Sequence, residues 1–277
     1  AGRPQRGSAH PGRIGLLIGS LTLSPAAVQA GLAPDAGPLA IRILGIRVDA
    51  VDQAQTLALI CRWAAEGGAP HQVATINPEF VMRARTDPAF AAVLERSDLA
   101  VADGVGILWA ARRQGVRLRE RVGGSDLAIP LARECAARGF RLYLLGAAEG
   151  VADKAADRLR REAPGLEIAG THAGSPSPEH DQATAERICT TRPQVLLVAY
   201  GAPAQELWIA RNQARLGVPV AIGVGGALDY LAGVQRRAPV LVQRLWLDWA
   251  YRLATQPWRW RRMLALPRFV RAVLAES

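Results

Sequence analysis

The stretch VPVAIGVGGALDYLAGVQRRAP, Val218 to Pro239, holds in sequence the parts from which the fold is read. Val218 to Ile222 is a short apolar run of the kind a buried strand shows. It stops at Gly223, and Gly225 and Gly226 follow before an apolar segment, Ala227 to Leu231, that can be helical. Glycines between a strand and a helix let the backbone approach a ligand, and a helix start offers unpaired N–H groups to an anion. The stretch therefore predicts a phosphate or diphosphate site. It is not the full dinucleotide fingerprint, because Leu228 stands at the third glycine position.

Working outward, the same strand-then-helix pattern repeats. Ile41 to Val48 alternates like a strand, and Asp52 can cap a helix running to about Glu66. Val73 to Ile76 is a strand ending at Asn77-Pro78, and Leu99 to Ala102 is another ending at Asp103-Gly104. Helical segments follow each, and Ser125 or Asp126 can cap a helix reaching Arg138. Phe140 to Leu145, Leu166 to Thr171 and Val195 to Ala199 complete the strands. Strands separated by helices of this length predict βαβ units and a mainly parallel sheet. The expected fold is a Rossmann-like α/β domain over residues 39–239, with a helical appendage over 240–277 interrupted at Pro257 and Pro267.

Composition narrows the function classes. Half of the 277 residues are apolar, enough for a sizeable core. Cys61, Cys135 and Cys189 form no C-x-x-C, and His10, His71, His172 and His180 show no ligand spacing, so a disulfide framework or a metal site is not expected. Of the net charge of +10, most sits at the end of the chain: from Arg236 to Ser277 nine arginines face Asp248 and Glu276, a local balance of +7. Trp246, Trp249, Trp258 and Trp260 share that segment. Arginine with tryptophan favours an anionic membrane surface. Nucleic acid is the competing partner, but no recognised motif for it is present, and no nucleic-acid partner is expected. The alternative is that the tail packs on the domain or forms an interface between copies in a homo-oligomer. No segment reads as a transmembrane helix. Residues 1–38 have no clear period; a weak signal-peptide layout competes with the stronger reading, a disordered extension.

In open parallel sheets ligands bind beyond the carboxyl ends of the strands. Polar residues there are Thr75, Asn77, Asp103, Gln205, Glu206 and Asp229. A carboxylate at the position of Asp103 could take a proton from a substrate hydroxyl; taken alone, an Asp-Gly turn or helix cap is the stronger account. Thr75 and Asn77 likewise fit turn and cap duty. Glu206 near a helix start complements the helix dipole with no further role required. Asp229 fits a ribose or sugar hydroxyl, or a backbone hydrogen bond within its own loop.

Taken together, T-x-N (Thr75, Asn77), A-D-G-x-G (Ala102 to Gly106), RVGGSDL (Arg121 to Leu127), YLLG (Tyr143 to Gly146), G-x-P-x-Q-E (Gly201 to Glu206), GVGGALD and RAP (Arg237 to Pro239) resemble the WecG/TagA/CpsF family of bacterial glycosyltransferases. The tail pattern LDWAYRL…P-x-R-x-x-R is similar too. The resemblance implies inverting transfer of a sugar from a UDP-sugar donor to a polyprenyl-diphosphate-linked acceptor in cell-envelope or exopolysaccharide synthesis. It implies an N-acetylmannosaminyltransferase-like hexosyltransferase without cofactor or metal, on the inner face of the cell membrane. It implies a base role for Asp103 and pocket positions for Thr75, Asn77, Arg121 and Gln205. Arg252, Arg259 and Arg262 are implied to bring positive charge to the diphosphates. With Glu206, Gly223, Gly225, Gly226, Asp229 and Arg237 these form the candidate site. Ala204 stands where members often carry lysine, and Asp248 where glutamate is usual. An NAD-dependent oxidoreductase and a non-catalytic lipid-binding module are the alternatives; the first lacks an evident catalytic His, Tyr or Lys set, Lys154 being the chain's one lysine.

Overall fold

The structure is a computed structural model and describes residues 38–235, 239, 251 and 260–276. Residues 1–37 and most of the segment 240–259 lie outside it, so the expected N-terminal extension and the first part of the appendage fall beyond the described residues.

The first departure from the sequence reading is at the start. Ile41 to Val48 is not one strand but a hairpin, β1 (Ala40–Ile43) and β2 (Ile46–Asp49), paired antiparallel with Ile43 opposite Ile46. Leu44 and Gly45 turn the chain with φ of 50° and 84°. Two positive φ values in a two-residue loop are what the right-handed strand twist requires. Leucine at the first of them gives no turn signal, and the alternation of the two arms runs on unbroken through the sequence.

From Asp52 onward strands and helices alternate as expected. Asp52 Oδ1 accepts from the Gln55 amide and Gln55 Oε1 from the Asp52 amide, closing a capping box on α1 (Gln53–Glu66). Then come β3 (His71–Ile76), α2 (Pro78–Ala84), α3 (Pro88–Arg96), β4 (Leu99–Ala102), α4 (Val105–Arg113) and α5 (Gly124–Arg138). The second half runs β5 (Arg141–Gly146), α6 (Val151–Glu162), β6 (Glu167–His172), α7 (Asp181–Thr191), β7 (Val195–Ala199), α8 (Ala204–Leu216), β8 (Val220–Gly223) and the single turn-and-a-half α9 (Ala227–Leu231). Helix α5 begins one turn-step earlier than expected: Gly123, not Ser125 or Asp126, is its N-cap.

The eight strands form one sheet in the order β1-β2-β4-β3-β8-β7-β5-β6, and every neighbouring pair after the hairpin is parallel. Strands covered on both faces read as unbroken apolar runs, and β4, β7 and β8 are buried at every residue. On one face Val73, Val101, Leu144, Leu197 and Ile222 meet α1, α5, α6 and α9. On the other, Ala74, Ile76, Ala100 and Ala102 meet α2, α3 and α4.

The described end of the chain joins that second face. After α10 (Trp260–Met263), α11 (Ala265–Glu276) packs on α2 and α4, with Phe269 fully buried and Val273 nearly so. Pro267 does not interrupt this helix. It sits in the first turn, where a missing N–H removes no helical bond, and the break falls before it at Leu264. Among the described residues no helix is long and apolar enough to cross a membrane.

Because Phe269 fills a site between α2 and α4, Phe269→Ala should cost about 3–5 kcal/mol of stability through lost burial and a cavity. Urea unfolding of the full chain should show that loss; a change under about 0.5 kcal/mol would mean that the terminal helix is not part of the folded core.

Candidate functional site

The carboxyl ends of β4, β3, β8 and β7 lie side by side, and the sequence places a polar residue or a glycine loop after each. This is the region where the chain, having left β3 for β4 on one side, later returns with β8 on the other. Such a reversal opens a crevice above the sheet. A cleft of about 160 Å³ occupies it.

Of the expected site residues, Thr75, Asn77, Asp103, Arg121, Gln205, Gly225, Gly226 and Arg262 line this cleft. Thr75, the last residue but one of β3, donates from Oγ1 to the Gly223 carbonyl at 3.2 Å and so ties β3 to β8. Asn77 caps α2, its Oδ1 accepting from the Phe80 amide at 3.0 Å, with Pro78 at the first helical position. The cap reading of Asn77 is thus correct, and the residue faces the cleft as well. Asp103 follows β4, its amide donating to the Ile76 carbonyl at 2.7 Å.

Arg121 to Gly124 run beside that strand end, the Val122 amide bonding the Ala102 carbonyl at 2.7 Å. Both glycines of this loop are required by close approach. A Cβ on Gly123 would stand 2.7 Å from Asp103 Oδ1, and one on Gly124 would stand 2.7 Å from Val224 Cα. The loop is therefore wedged between Asp103 and the loop after β8. Arg121 Nε lies 3.4 Å from Asp126 Oδ2, which brings a second carboxylate to the same wall.

Gln205 and Glu206 behave differently from each other. Gln205 Oε1 accepts from the Gly201 amide at 3.1 Å and the Gly225 amide at 2.9 Å, and Nε2 donates to Glu206 Oε1 at 2.7 Å. Glu206 itself lies behind the wall, 0% exposed, with the Gln72 side-chain amide on its backbone carbonyl and no hydrogen-bond partner on Oε2. It is not the solvated dipole partner expected from its place in the helix. Burial among apolar groups pushes its carboxyl up to about 8, with the Gln205 hydrogen bond opposing in part. Gly223 also stands behind the lining, packed against Gln205 and Glu206 with no room for a Cβ. Asp229 is in the first turn of α9, outside the lining.

Three amides of the glycine loop are already engaged within the protein. The Val224, Gly225 and Ala227 amides bond Val198, Gln205 and Val224 respectively, all within the protein. The cationic side chains lining the cleft, among the described residues, are Arg121 and Arg262. Arg237, Arg252 and Arg259 lie outside the described residues. Sequence reasoning missed Glu79, which lines the cleft and forms a two-pronged ion pair with Arg262, and it read Asp126 only as a cap. Glu79 directly follows the Asn77-Pro78 strand end, which was the available signal. Among the described residues no three His, Cys, Asp or Glu side chains cluster as metal ligands.

Comparison with known proteins follows the same residues. The sequence model of the Glycosyl transferase WecG/TagA/CpsF family matches residues 41–277. The chain is 36% identical over 202 residues to an N-acetylglucosaminyldiphosphoundecaprenol N-acetyl-beta-D-mannosaminyltransferase of Bacillus spizizenii strain W23, covering 73% of this chain and 78% of the relative. The protein of the same name from Bacillus subtilis strain 168 is 33% identical over 205 residues, covering 74% and 79%. That of Staphylococcus aureus strain NCTC 8325 is 29% identical over 231 residues, covering 83% and 90%. The chain belongs to the WecG/TagA/CpsF glycosyl transferase family, which sets aside the dinucleotide oxidoreductase and the non-catalytic module.

The buried Glu206 carboxyl has a pH signature. Its folded pKa lies above its ordinary value of 4.5, so the protonated form is the one that folding favours. Below about pH 4.5 both folded and unfolded chains hold the proton and no cost arises. As pH rises toward about 8 only the unfolded chain loses it, and stability falls by on the order of 1 kcal/mol per pH unit. Relative to Glu206→Gln, the wild type should therefore lose stability from about pH 5 to about pH 8 and no further above that. Urea unfolding across this range measures it; a pH-independent difference between the two proteins would remove Glu206 as the titrating group.

Proposed function

We propose that this glycosyltransferase moves a sugar of the N-acetylmannosamine type from a UDP-sugar to a polyprenyl-diphosphate-linked saccharide, with inversion, in the synthesis of a cell-envelope polymer. The observation that carries the reading is the placement of Asp103 at the carboxyl end of β4, in one cleft with Arg121, Arg262 and Gln205. The names of the relatives supply the donor sugar and the acceptor class.

The chemistry follows from that placement. The acceptor hydroxyl gives its proton to the Asp103 carboxylate as its oxygen attacks the anomeric carbon from the face opposite the UDP. A new C–O bond forms, the bond from the anomeric carbon to the β-phosphate oxygen breaks, and UDP leaves with the electron pair. Positive charge aimed at the departing diphosphate lowers the barrier most where water is excluded. Arg121 and Arg262 supply positive charge from the described residues; family pattern assigns Arg262, with Arg252 and Arg259, to the diphosphates, the lipid-linked one included, and Arg237 ends the wall of the substrate site. Arginine in this role does the work that a divalent cation does elsewhere. Thr75 and Asn77 line the sugar end, Gln205, Gly225 and Gly226 form the wall beside the diphosphate with Gly223 and Glu206 supporting it from behind, and Asp229 is assigned to a ribose or sugar hydroxyl.

The tail supports contact with a membrane surface, on its cytoplasmic side. One edge of α11 is committed to the core, but Trp260, Leu264, Val270 and Leu274 are exposed beside the exposed Arg268 and Arg271. An apolar edge flanked by arginine suits an anionic lipid surface, with the helix lying in the interface rather than crossing it.

Two measurements test the reading. Asp103→Asn should lower acceptor-dependent UDP release by about a hundredfold or more, the range for a lost general base, while UDP-sugar binding stays within about twofold; full turnover by that variant would take the base role from Asp103. Trp260→Asp with Leu274→Asp should abolish cosedimentation with vesicles containing anionic phosphatidylglycerol and leave the fold intact, because neither side chain is buried. Undiminished cosedimentation would assign the membrane contact elsewhere.

A further inference from the structure

The ion pair between Glu79 and Arg262 has a geometry that an ordinary surface pair does not need. Arg262 Nε donates to Glu79 Oε1 at 2.7 Å and Arg262 Nη2 donates to Glu79 Oε2 at 3.1 Å. This is the side-on approach to a guanidinium. It uses the edge formed by Nε and one Nη2 hydrogen, and it leaves the end-on edge, one hydrogen each from Nη1 and Nη2, outside the contact. A guanidinium has five N–H donors in a rigid plane, so two oxyanions can be held at once on two edges.

Both partners are carried on elements that are locked to each other. Glu79 lies in the first turn of α2, whose start is fixed by the Asn77 cap and by Pro78. Pro78 in turn packs so closely on Gly106 that a Cβ there would come within 2.6 Å of its ring. Arg262 sits in α10, directly before the helix that Phe269 anchors against α2 and α4, and Phe269 reaches the same Gly106 as Pro78 does. The backbone positions of the pair are therefore set by packing, and the pair is free to set the direction of one guanidinium.

Its contribution to stability cannot be the reason for it. Arg262 is 45% and Glu79 35% exposed, and ion pairs so open to water are worth about 0–1 kcal/mol. Nor does a carboxylate at the rim of a diphosphate site help by its own charge, which repels the ligand. It helps only if the arginine it holds gains more from being aimed than the ligand loses from the neighbouring charge.

Building on the reaction proposed above, we infer that Glu79 is a positioning residue: it holds Arg262 side-on so that the end-on edge of the guanidinium meets an oxygen of a diphosphate ester in the cleft. The ester belongs either to the nucleotide donor or to the lipid-linked acceptor, and both are diphosphates of a sugar.

A binding cycle on the full chain tests this. Dissociation constants are measured for UDP and, separately, for a short-chain prenyl-diphosphate-linked N-acetylglucosamine, with wild type, Glu79→Gln, Arg262→Gln and the double variant. Arg262→Gln should weaken one of the two ligands by about tenfold, the range for a lost charge-assisted phosphate contact. Glu79→Gln should weaken that same ligand by about threefold or more, and the double variant should bind it no worse than Arg262→Gln alone. The ligand that responds identifies which diphosphate Arg262 holds. The exchanged pair, Glu79→Arg with Arg262→Glu, keeps the ion pair and should still bind as poorly as Arg262→Gln.

Tighter binding by Glu79→Gln would make Glu79 a competitor of the ligand and overturn the inference. So would unchanged binding, a loss that persists in full in the Arg262→Gln background, or wild-type affinity in the exchanged pair. Acceptor-dependent UDP release is followed separately. Diphosphate binding that obeys the cycle without any sugar transfer would remove the transferase reading and leave the role of Glu79 standing.

Discussion

One side-chain amide holds the upper end of the sheet together. The oxygen of Gln205 takes the backbone N–H groups of Gly201 and Gly225, which belong to the loops after β7 and β8. Its nitrogen donates to Glu206, and because both loop groups are N–H donors only the oxygen end of the amide can serve them. Thr75 extends the tie to β3 through the Gly223 carbonyl, and the Asp103 amide extends it to β4 through Ile76. Four adjacent strand ends are thereby fixed before any ligand arrives. A site with its dipoles already in place has less reorganisation to undergo at the moment of reaction, which is where electrostatic catalysis gains most.

The same clasp explains why the glycines are where they are. Gly223 has Glu206 and Gln205 against its α-carbon, Gly124 has the Val224 backbone, and Gly123 has the Asp103 carboxylate. A side chain at any of the three would push apart elements that the clasp draws together. The glycines were expected to clear space for a phosphate. Gly123, Gly124 and Gly223 instead make room for the protein's own strand-end elements, while Gly225 and Gly226 are uncrowded and line the cleft. The cationic side chains that reach the cleft among the described residues are Arg121, from the loop before α5, and Arg262, from the tail, and on the proposed reading they meet the anion.

How much of this was legible in the sequence follows from which interactions are local. Runs such as Leu142 to Leu145 and Val195 to Ala199 are apolar throughout because both faces are covered, so the parallel sheet could be read directly. Thr75, Asn77, Asp103, Arg121 and Gln205 could be gathered into one site because parallel strands bring their carboxyl ends to one edge. The hairpin at Leu44-Gly45 is hidden in the sequence because leucine stands where the turn usually has Asn, Asp or Gly. Glu206 was misjudged because its burial is set by Gln72 and Gly223, far away in sequence, and a glutamate in a first turn otherwise looks like a partner for the helix dipole. Glu79 was passed over for the same reason, since its partner lies 183 residues further on.

In the tail a core contact fixes which surface is presented outward. A free amphipathic helix chooses its own rotation at a membrane, but α11 has no such freedom once Phe269 and Val273 are buried. Their position fixes which edge is left outside, and that edge carries Leu274 with Trp260 and Leu264 at the approach to it. Arg262, in the turn just before, is at the cleft. The distance along one short helical segment therefore links the outward apolar edge to the rim where a diphosphate is to be held. On the proposed reading, a lipid-linked diphosphate lies at the surface that this edge touches, with its saccharide reaching inward toward Asp103. The aromatic ring of Phe269, itself not among the cleft-lining residues, would then decide whether the acceptor and the catalytic carboxylate can meet at all.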